Sequence, residues 1–285
     1  MNTLQRLAAS VSLAGAALLG SVSTAYAGPF IIAGTDADDH GSFSAGANQD
    51  GWFFMQRALE SLAPAVTNGN KQVVFLGSDQ NTQAGNAAAS AFNNSSLVAA
   101  GWTSVFINDA AIGTFLSGGA AGAGIIMMDS GGNVTGGATT TERGLFTTNA
   151  AAINTFVGNG GGLFSQANGY GWISALLPTL GDVDIQNQGL ALTAAGSAAF
   201  PGLNNGDLSA GPWHNYFTNV GALTVFATST QSATLGQAVI IGAVSGSITN
   251  PDPVGVPDAG SFAFVYIALG GLLVAFRRSV RRSAA

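Results

Sequence analysis

Three carboxylates and one imidazole fall within five consecutive residues of this chain, at Asp36, Asp38, Asp39 and His40. Carboxylates packed this densely repel one another unless solvent or a cation screens them. Alternating aspartates supply the oxygen ligands that calcium prefers, while aspartate with histidine also suits zinc or manganese. We therefore interpret these residues as a candidate metal site with calcium as the first choice. The alternative is a solvated acidic turn in which Asp36 or Asp38 caps the next segment of the chain.

The acidic cluster comes directly after the apolar segment PFIIAG (29–34), which is typical of a short buried strand. Four further runs with the same character occupy 71–79, 103–109, 123–130 and 161–168. The carboxyl ends of parallel strands share one edge of a sheet, and ligands bind along that edge in open α/β folds. We therefore expect a crevice there, formed by the polar residues that end these strands together with a late histidine. Its candidate residues are Asp79, Asp109, Asp129, Ser165, Gln166, Asn168 and His214. The alternative is that Asp and Ser simply cap the helices that come after the strands.

A nucleophilic role for Ser165 is disfavoured. A serine hydrolase needs a base and an orienting acid beside the nucleophile, and His40 and His214 are the only histidines. The stretch GLFSQ at 162–166 also lacks the final glycine of the Gly-x-Ser-x-Gly elbow.

Segments with helical spacing or helix-compatible composition, at 49–66, 84–100 and 141–157, alternate with the predicted strands. Continuous apolar strands separated by helices indicate a parallel sheet covered on both faces. The sequence therefore predicts one α/β domain over 28–248, with a three-layer, mostly parallel, flavodoxin-like sheet. Later apolar runs at 223–228 and 238–244 could close that sheet. The alternative is an all-β, adhesin-like sandwich, which the high content of Gly, Ser, Thr and Asn favours.

The first 27 residues have the pattern of a secretory signal peptide. Arg6 forms a basic n-region, an apolar stretch runs from Leu7 to Leu19, and small residues stand at Ala25 and Ala27. We expect cleavage after Ala27. The mature region 28–258 then holds three basic and fourteen acidic residues, a net charge of about −11. Such an acidic surface argues against nucleic acid or anionic lipid as a partner. The chain has no cysteine, so neither disulfides nor thiol chemistry are available.

The other end of the chain has three parts. A linker rich in proline and glycine (249–259) precedes an uncharged apolar segment (260–276), which is at the short limit for a transmembrane helix. The tail (277–285) carries four arginines, which the positive-inside rule keeps in the cytoplasm.

This layout resembles the PEP-CTERM sorting signals of the exosortase system, and it is closest to the Val-Pro-Asp-Ser-Gly variant. The matching residues are Val256, Pro257, Asp258, Ala259 and Gly260, with Ala259 in place of serine. The resemblance implies a membrane sorting enzyme of the exosortase type as a partner and processing near the motif. It also implies a cell that makes exopolysaccharide. The expected course is inner-membrane anchoring, and then the cell surface or extracellular space.

A second, looser resemblance covers about 30–246. The segment 149–169 (NAAAINTFVGNGGGLFSQANG) resembles the helix, turn and strand before the nucleophile elbow of class I glutamine amidotransferase-like domains. The segments 200–203 (FPGL) and 211–214 (GPWH) are similar to their late parts. Catalytic members place a cysteine at the elbow and an acidic residue two positions after a late histidine. This chain has no cysteine, and Tyr216 stands two positions after His214, so the resemblance implies the fold without its chemistry.

Three functions fit these patterns. The first is an exported surface or matrix protein with a non-catalytic domain that binds a cation or polysaccharide. The second is a metal-dependent extracellular hydrolase that uses the Asp/His cluster. The third is a purely structural matrix component. The absence of cysteine and the presence of only two histidines favour the first or the third.

Overall fold

The computed structural model describes residues 28–132, 134–166, 170, 173 and 177–243. Several predicted features lie outside these residues: the signal peptide (1–27), the sorting linker (249–259), the apolar span (260–276), the basic tail (277–285) and Asn168. Within the described part of the chain, no helix combines the length and apolar character that a membrane crossing requires.

Most of the strands belong to one mixed sheet. The strands of the described residues are β1 (Phe30–Ala33), β2 (Gly41–Ser44), β3 (Ala47–Gln49), β4 (Gln72–Leu76), β5 (Thr103–Ile107), β6 (Ile125–Met128), β7 (Gly162–Gln166), β8 (Gly181–Gln188), β9 (Leu190–Leu192), β10 (Pro212–Thr218), β11 (Thr224–Ser229) and β12 (Ala238–Ala243). Ten of them form a sheet in the order β5-β4-β6-β7-β1-β12-β10-β8, with β11 beside β12 and β9 beside β11. The strands β2 and β3 form a separate hairpin.

The parallel part of the sheet consists of β5, β4, β6, β7 and β1. These are the five strands predicted from the apolar runs, and their carboxyl ends lie along one edge. The α/β class is therefore confirmed, and the all-β sandwich is excluded. The continuous apolar character of these strands has a direct cause. Every residue of β1, β6 and β7 is buried, so both faces of the sheet are covered.

Helices lie between the strands of the parallel part and pack on the sheet. The helices of the described residues are α1 (Asp50–Leu62), α2 (Gln83–Asn93), α3 (Ser96–Ala99), α4 (Ala110–Ser117), α5 (Thr140–Thr148), α6 (Ala150–Gly158), α7 (Ala194–Ala199) and α8 (Asn205–Leu208). The predicted helix at 141–157 is divided at Asn149, and Thr139 begins its first part with a capping box to Glu142. Such a reciprocal cap satisfies two backbone donors at the start of a helix.

Two hydrophobic clusters lie on opposite faces of the sheet. Ile126 and Met128 of β6 belong to the cluster that includes α4, α5 and α6. Ile125 and Met127 belong to the cluster that includes α1 and α2. Alternate residues of a strand point to opposite faces, so β6 contributes to both cores.

The remaining strands extend the sheet in antiparallel fashion. The predicted runs at 223–228 and 238–244 correspond to β11 and β12, and β12 pairs antiparallel with β1. The strands β8 and β10 were not predicted, because polar residues interrupt both of them and neither has a continuous apolar run. The strand β10 matters for the site, since it carries His214 to the carboxyl end of β1.

Candidate functional site

A tight turn at the carboxyl end of β1 positions the acidic cluster. The backbone N–H of Asp39 donates to the Asp36 carbonyl at 3.0 Å, which closes the turn. Just before it, Gly34 lies against β10, and its carbonyl accepts from the His214 N–H at 2.7 Å. A Cβ at Gly34 would overlap the Asn215 carbonyl, so only glycine permits this approach. The close contact places His214 beside a turn 178 residues earlier in the chain.

Asp36, His40 and His214 form one cluster. The His214 Nε2 lies 2.9 Å from the Asp36 Oδ2, and the His40 Nε2 lies 3.3 Å from the same oxygen. One ligand atom from each side chain lies within 4.8 Å of the others. The Asp36 side chain is 1% exposed, whereas those of His40 and His214 are 27% and 15% exposed. The carboxylate is therefore buried beneath two imidazoles that reach solvent.

The two imidazoles keep Asp36 ionised. Burial alone would raise its pKa, but hydrogen bonds and the nearby charges of His214 and His40 outweigh burial and lower the pKa below its ordinary value. The pKa of His40 is raised, chiefly by its hydrogen bond to Asp36, while burial opposes the rise. The negative charges of Asp36 and Asp39 add to it. The cluster thus combines an ionised carboxylate with imidazole nitrogens, which is a donor set for a metal ion.

A small cavity adjoins the cluster. It has a volume of about 10 Å³ and is lined by Asp36, His40 and Thr35 among others, which is room for about one water molecule or ion. The Thr35 hydroxyl is buried and has no hydrogen-bond partner among the described residues. Buried hydroxyls are normally hydrogen-bonded, so a water or ion-bound water beside Thr35 would satisfy this group. A Cβ at Gly211 would overlap the His40 ring, so glycine at this position makes room for the imidazole.

The donor set differs from the one expected from the sequence. Two imidazole nitrogens and one carboxylate oxygen suit zinc and related transition metals, whereas calcium takes six to eight oxygen ligands. Asp39 is not a member of this three-residue cluster. Its carboxylate accepts from Gln83 Nε2 at 2.9 Å and lies 3.6 Å from the His40 Nε2. The Asp38 side chain also lies outside the cluster and accepts from the Ser130 hydroxyl.

Asp38 and Asp129 form a second, fully buried group. The Ser130 hydroxyl donates to Asp38 Oδ2 at 3.0 Å, and the Ser78 hydroxyl donates to Asp129 Oδ2 at 2.6 Å. Burial raises the pKa of Asp38 well above its ordinary value, and the charge of Asp129 raises it further. Burial also raises the pKa of Asp129, to about 6, although hydrogen bonds, including one from Asp38, oppose the rise. Both shifts are upward, so this buried pair favours protonated carboxyls over charged ones.

The other candidate crevice residues occupy the same edge in different surroundings. Asp79 is exposed and accepts from Asn108 Nδ2 at 2.9 Å, and Asp109 is exposed at the start of α4. Ser165 is fully buried, and its hydroxyl donates to the Gln166 carbonyl. The Gln166 side chain is buried and has no hydrogen-bond partner among the described residues. The structure therefore brings Asp36, His40 and His214 together, and separately Asp38 and Asp129, but it does not assemble all the candidates around one ligand.

Sequence reasoning missed several residues that shape both groups. These are Thr35, Ser78, Ser130 and Gly211. A hydroxyl directly before Asp36 and a serine beside each of two strand ends were visible in the sequence. Their partners lie so far along the chain that spacing gave no signal.

No protein-family model and no curated protein matches this chain, and no solved structure matches its fold.

Proposed function

We propose that this chain is an exported protein whose α/β domain binds a transition-metal ion of the zinc class through Asp36, His40 and His214, without acting as an enzyme. The observation that carries the metal site is the convergence of two imidazole nitrogens on one buried, ionised carboxylate. Ligand atoms around a tetrahedral zinc ion lie about 3.3 Å apart, given bonds of about 2.0–2.1 Å. The two separations from Asp36 Oδ2, 2.9 and 3.3 Å, are close to that value, and all three ligand atoms lie within 4.8 Å of one another.

A non-catalytic role is supported by the size of the cavity. At about 10 Å³ it holds one water or one ion, so a sugar or peptide group would have to bind from the solvent side of His40 and His214. The orphaned Thr35 hydroxyl would then have a metal-bound water as its partner. The metal would hold the turn after β1 against β10, which would stabilise the fold of a cysteine-free exported protein.

Targeting and fold family are part of the same proposal and are supported by the sequence. The signal peptide would be removed after Ala27, and the tail from Val256 would be recognised by an exosortase-type enzyme before release to the cell surface or an exopolysaccharide matrix. A three-layer, flavodoxin-like arrangement, with a degenerate glutamine amidotransferase-like domain, agrees with a parallel sheet that carries a hydrophobic cluster on each face.

A metal-dependent hydrolase is the second candidate. Catalytic zinc sites use three protein ligands and leave a position for water, and the cluster offers three such ligands. A substrate would reach this metal from the solvent side of His40 and His214, because the cavity itself holds about one water or ion. Hydrolysis of carbohydrate or peptide substrates by the zinc-loaded chain, lost in Asp36→Asn, would favour it over the first candidate.

The metal site is tested by direct binding to the full chain. Isothermal titration with zinc should give one site per chain, and Asp36→Asn should remove it. Asp109→Asn is the matched control, since Asp109 is exposed on the same edge of the sheet and contacts none of the three proposed ligands. Calcium should give no comparable heat. Equal zinc binding by the wild type and Asp36→Asn would overturn the proposal.

Targeting is tested separately by mass spectrometry of the protein recovered from culture. A mature N-terminus at Gly28 and the loss of peptides beyond Gly260 are expected. An intact C-terminus on exported protein would contradict processing at the sorting motif.

A further inference from the structure

The strand β5 forms an open edge of the sheet. Within the described residues it pairs with β4 alone. Its Thr103 N–H donates to the Lys71 carbonyl at 2.9 Å, and its Ile107 carbonyl accepts from the Gly77 N–H at 3.2 Å. Alternate residues of a strand in a parallel ladder bond to the same neighbour, so 103, 105 and 107 face β4. The backbone N–H and C=O groups of residues 104 and 106 therefore face outwards.

This edge lacks the usual protection. Natural proteins guard exposed edges with charged side chains, prolines or bulges. No charged residue or proline occurs from 96 to 108, although the mature region carries a net charge of about −11. Val105 is 36% exposed on this strand. At the opposite end of the sheet, β8 carries Asp182 and Asp184. The sheet also branches to a third edge at β9, where the N–H groups of Leu190 and Leu192 donate to the side chains of Ser209 and Asn205. Of these edges, β5 is the one that a further strand could join.

We propose that β5 pairs with β5 of a second copy of this chain, antiparallel and about a two-fold axis at Val105. In that register residue 104 lies opposite residue 106 of the second copy. Directly opposed residues of an antiparallel pair can exchange both backbone hydrogen bonds. The two pairs formed in this way use the outward-facing N–H and C=O groups of residues 104 and 106 in both strands. The Val105 side chains then meet at the axis, in a pair without backbone bonds, where opposed Cα atoms lie about 4.5 Å apart.

The charges at the ends of β5 favour this occupant. Lys71 is exposed beside the start of β5, and its Nζ donates to the Ala100 carbonyl rather than to a carboxylate among the described residues. By contrast, Arg57 is paired with Glu60. Asp109 is exposed just beyond the other end of β5. An antiparallel two-fold pairing brings the Lys71 end of each copy to the Asp109 end of the other. The dimer therefore has two symmetry-related places where a positive and a negative side chain approach each other, although the chain as a whole is acidic.

The register is tested by cysteine cross-linking of the full chain, which has no native cysteine. Val105→Cys should form a disulfide-linked dimer under mild oxidation, because the opposed Cα atoms lie within the range that a disulfide spans. Thr103→Cys is the matched control on the same strand. Its two-fold mate lies about 13 Å away along the strands, so it should cross-link at least about tenfold more slowly. The double variant Thr103→Cys, Ile107→Cys should cross-link again.

A second measurement separates pairing from random collision. Ser104→Pro removes an outward-facing N–H that the chain's own sheet does not use, and edge strands tolerate proline at such positions. In the Val105→Cys background it should abolish the dimer while leaving the circular dichroism spectrum unchanged. Equal cross-linking by Val105→Cys and Thr103→Cys, or a dimer that survives Ser104→Pro in folded protein, would overturn the proposal. Cross-linking of Val105→Cys to other proteins instead of to itself would do the same.

Discussion

Asp36 and Asp38 occupy one turn, two residues apart, and both side chains are buried. Burial pushes the pKa of both upwards, yet that of Asp36 is lowered and that of Asp38 is raised. The difference comes from their neighbours, because Asp36 faces two imidazoles while Asp38 faces Asp129 and the Ser130 hydroxyl. Desolvation makes a buried charge costly, and here the hydrogen bonds and charges of two imidazoles compensate for it at Asp36 but not at Asp38. The turn therefore presents an ionised candidate metal ligand on one side and, on the other, a carboxyl whose protonated form is favoured.

The largest expected difference between the two aspartates is in zinc affinity. Asp36→Asn removes the anionic ligand, and we expect affinity to fall at least about 100-fold. Asp38→Asn should leave affinity within about threefold, because the amide oxygen can still accept from Ser130 and the amide is uncharged, like a protonated carboxyl. Competition with a zinc chelator measures both values. Similar losses in the two variants would show that the turn as a whole, rather than Asp36, sets the affinity.

The second prediction concerns the pH dependence of stability without metal. The pKa of Asp129 is raised from 3.8 to about 6, so the folded state favours its protonated form. The stability from this group is complete below pH 3.8 and is lost as pH rises through about 6, a change of up to about 3 kcal/mol. Asp129→Asn fixes the neutral form and should gain stability relative to the wild type between pH 4 and pH 8.

Urea unfolding at pH 4, 6 and 8, in the presence of a chelator, measures this difference. Asp109→Asn is the control, since Asp109 lies exposed on the same edge of the sheet. A constant difference between Asp129→Asn and the wild type across this range would contradict a buried, protonated carboxyl pair.

The parallel part of the fold was predictable because burial leaves a local signal. The strands β1, β4, β6 and β7 are covered on both faces, so their sequences are continuous apolar runs that can be recognised without knowing their neighbours. The strand β8 (GDVDIQNQ) alternates exposed and half-buried residues, and its composition is that of a loop. Its place depends on pairing with β10, which no local pattern specifies.

The site was predictable only in part, for the same reason. The density of acidic residues indicated the turn at Asp36, but which of its carboxylates meets a histidine depends on contacts across the fold. His214 reaches Asp36 across 178 residues, and Ser130 reaches Asp38 across 92 residues. Calcium was expected because carboxylates outnumber imidazoles in the sequence, whereas the geometry groups one carboxylate with two imidazoles.

The third prediction concerns the support of the Asp36 side by glycine. A Cβ at Gly211 would overlap the His40 ring, so Gly211→Ala should displace it. We expect a loss of about 1–3 kcal/mol in stability and about a tenfold loss in zinc affinity. Gly144→Ala is the matched control, because an added Cβ meets nothing within 4 Å there and alanine favours the helix. Unchanged zinc binding in Gly211→Ala would mean that His40 is not a ligand.

The smallest effect is the pH response of His40 without metal, and its sign should reverse when zinc is added. The pKa of His40 is raised by Asp36, so its contribution to stability is complete below pH 6.5 and is lost as pH rises through the folded-state value. The side chain is partly exposed, so with chelator the melting temperature of the wild type should fall relative to His40→Gln by only about 1–2 °C between pH 5.5 and pH 8.

Zinc requires neutral imidazoles, so its stabilisation should instead grow over the same range, to about 2.7 kcal/mol at a hundredfold excess over the dissociation constant. Differential scanning fluorimetry of both proteins, with zinc and with chelator, tests this reversal. If the melting temperature changes with pH in the same way with zinc and with chelator, the proton and the metal bind at different groups. The pairing of Asp36 with the two histidines would then serve stability alone.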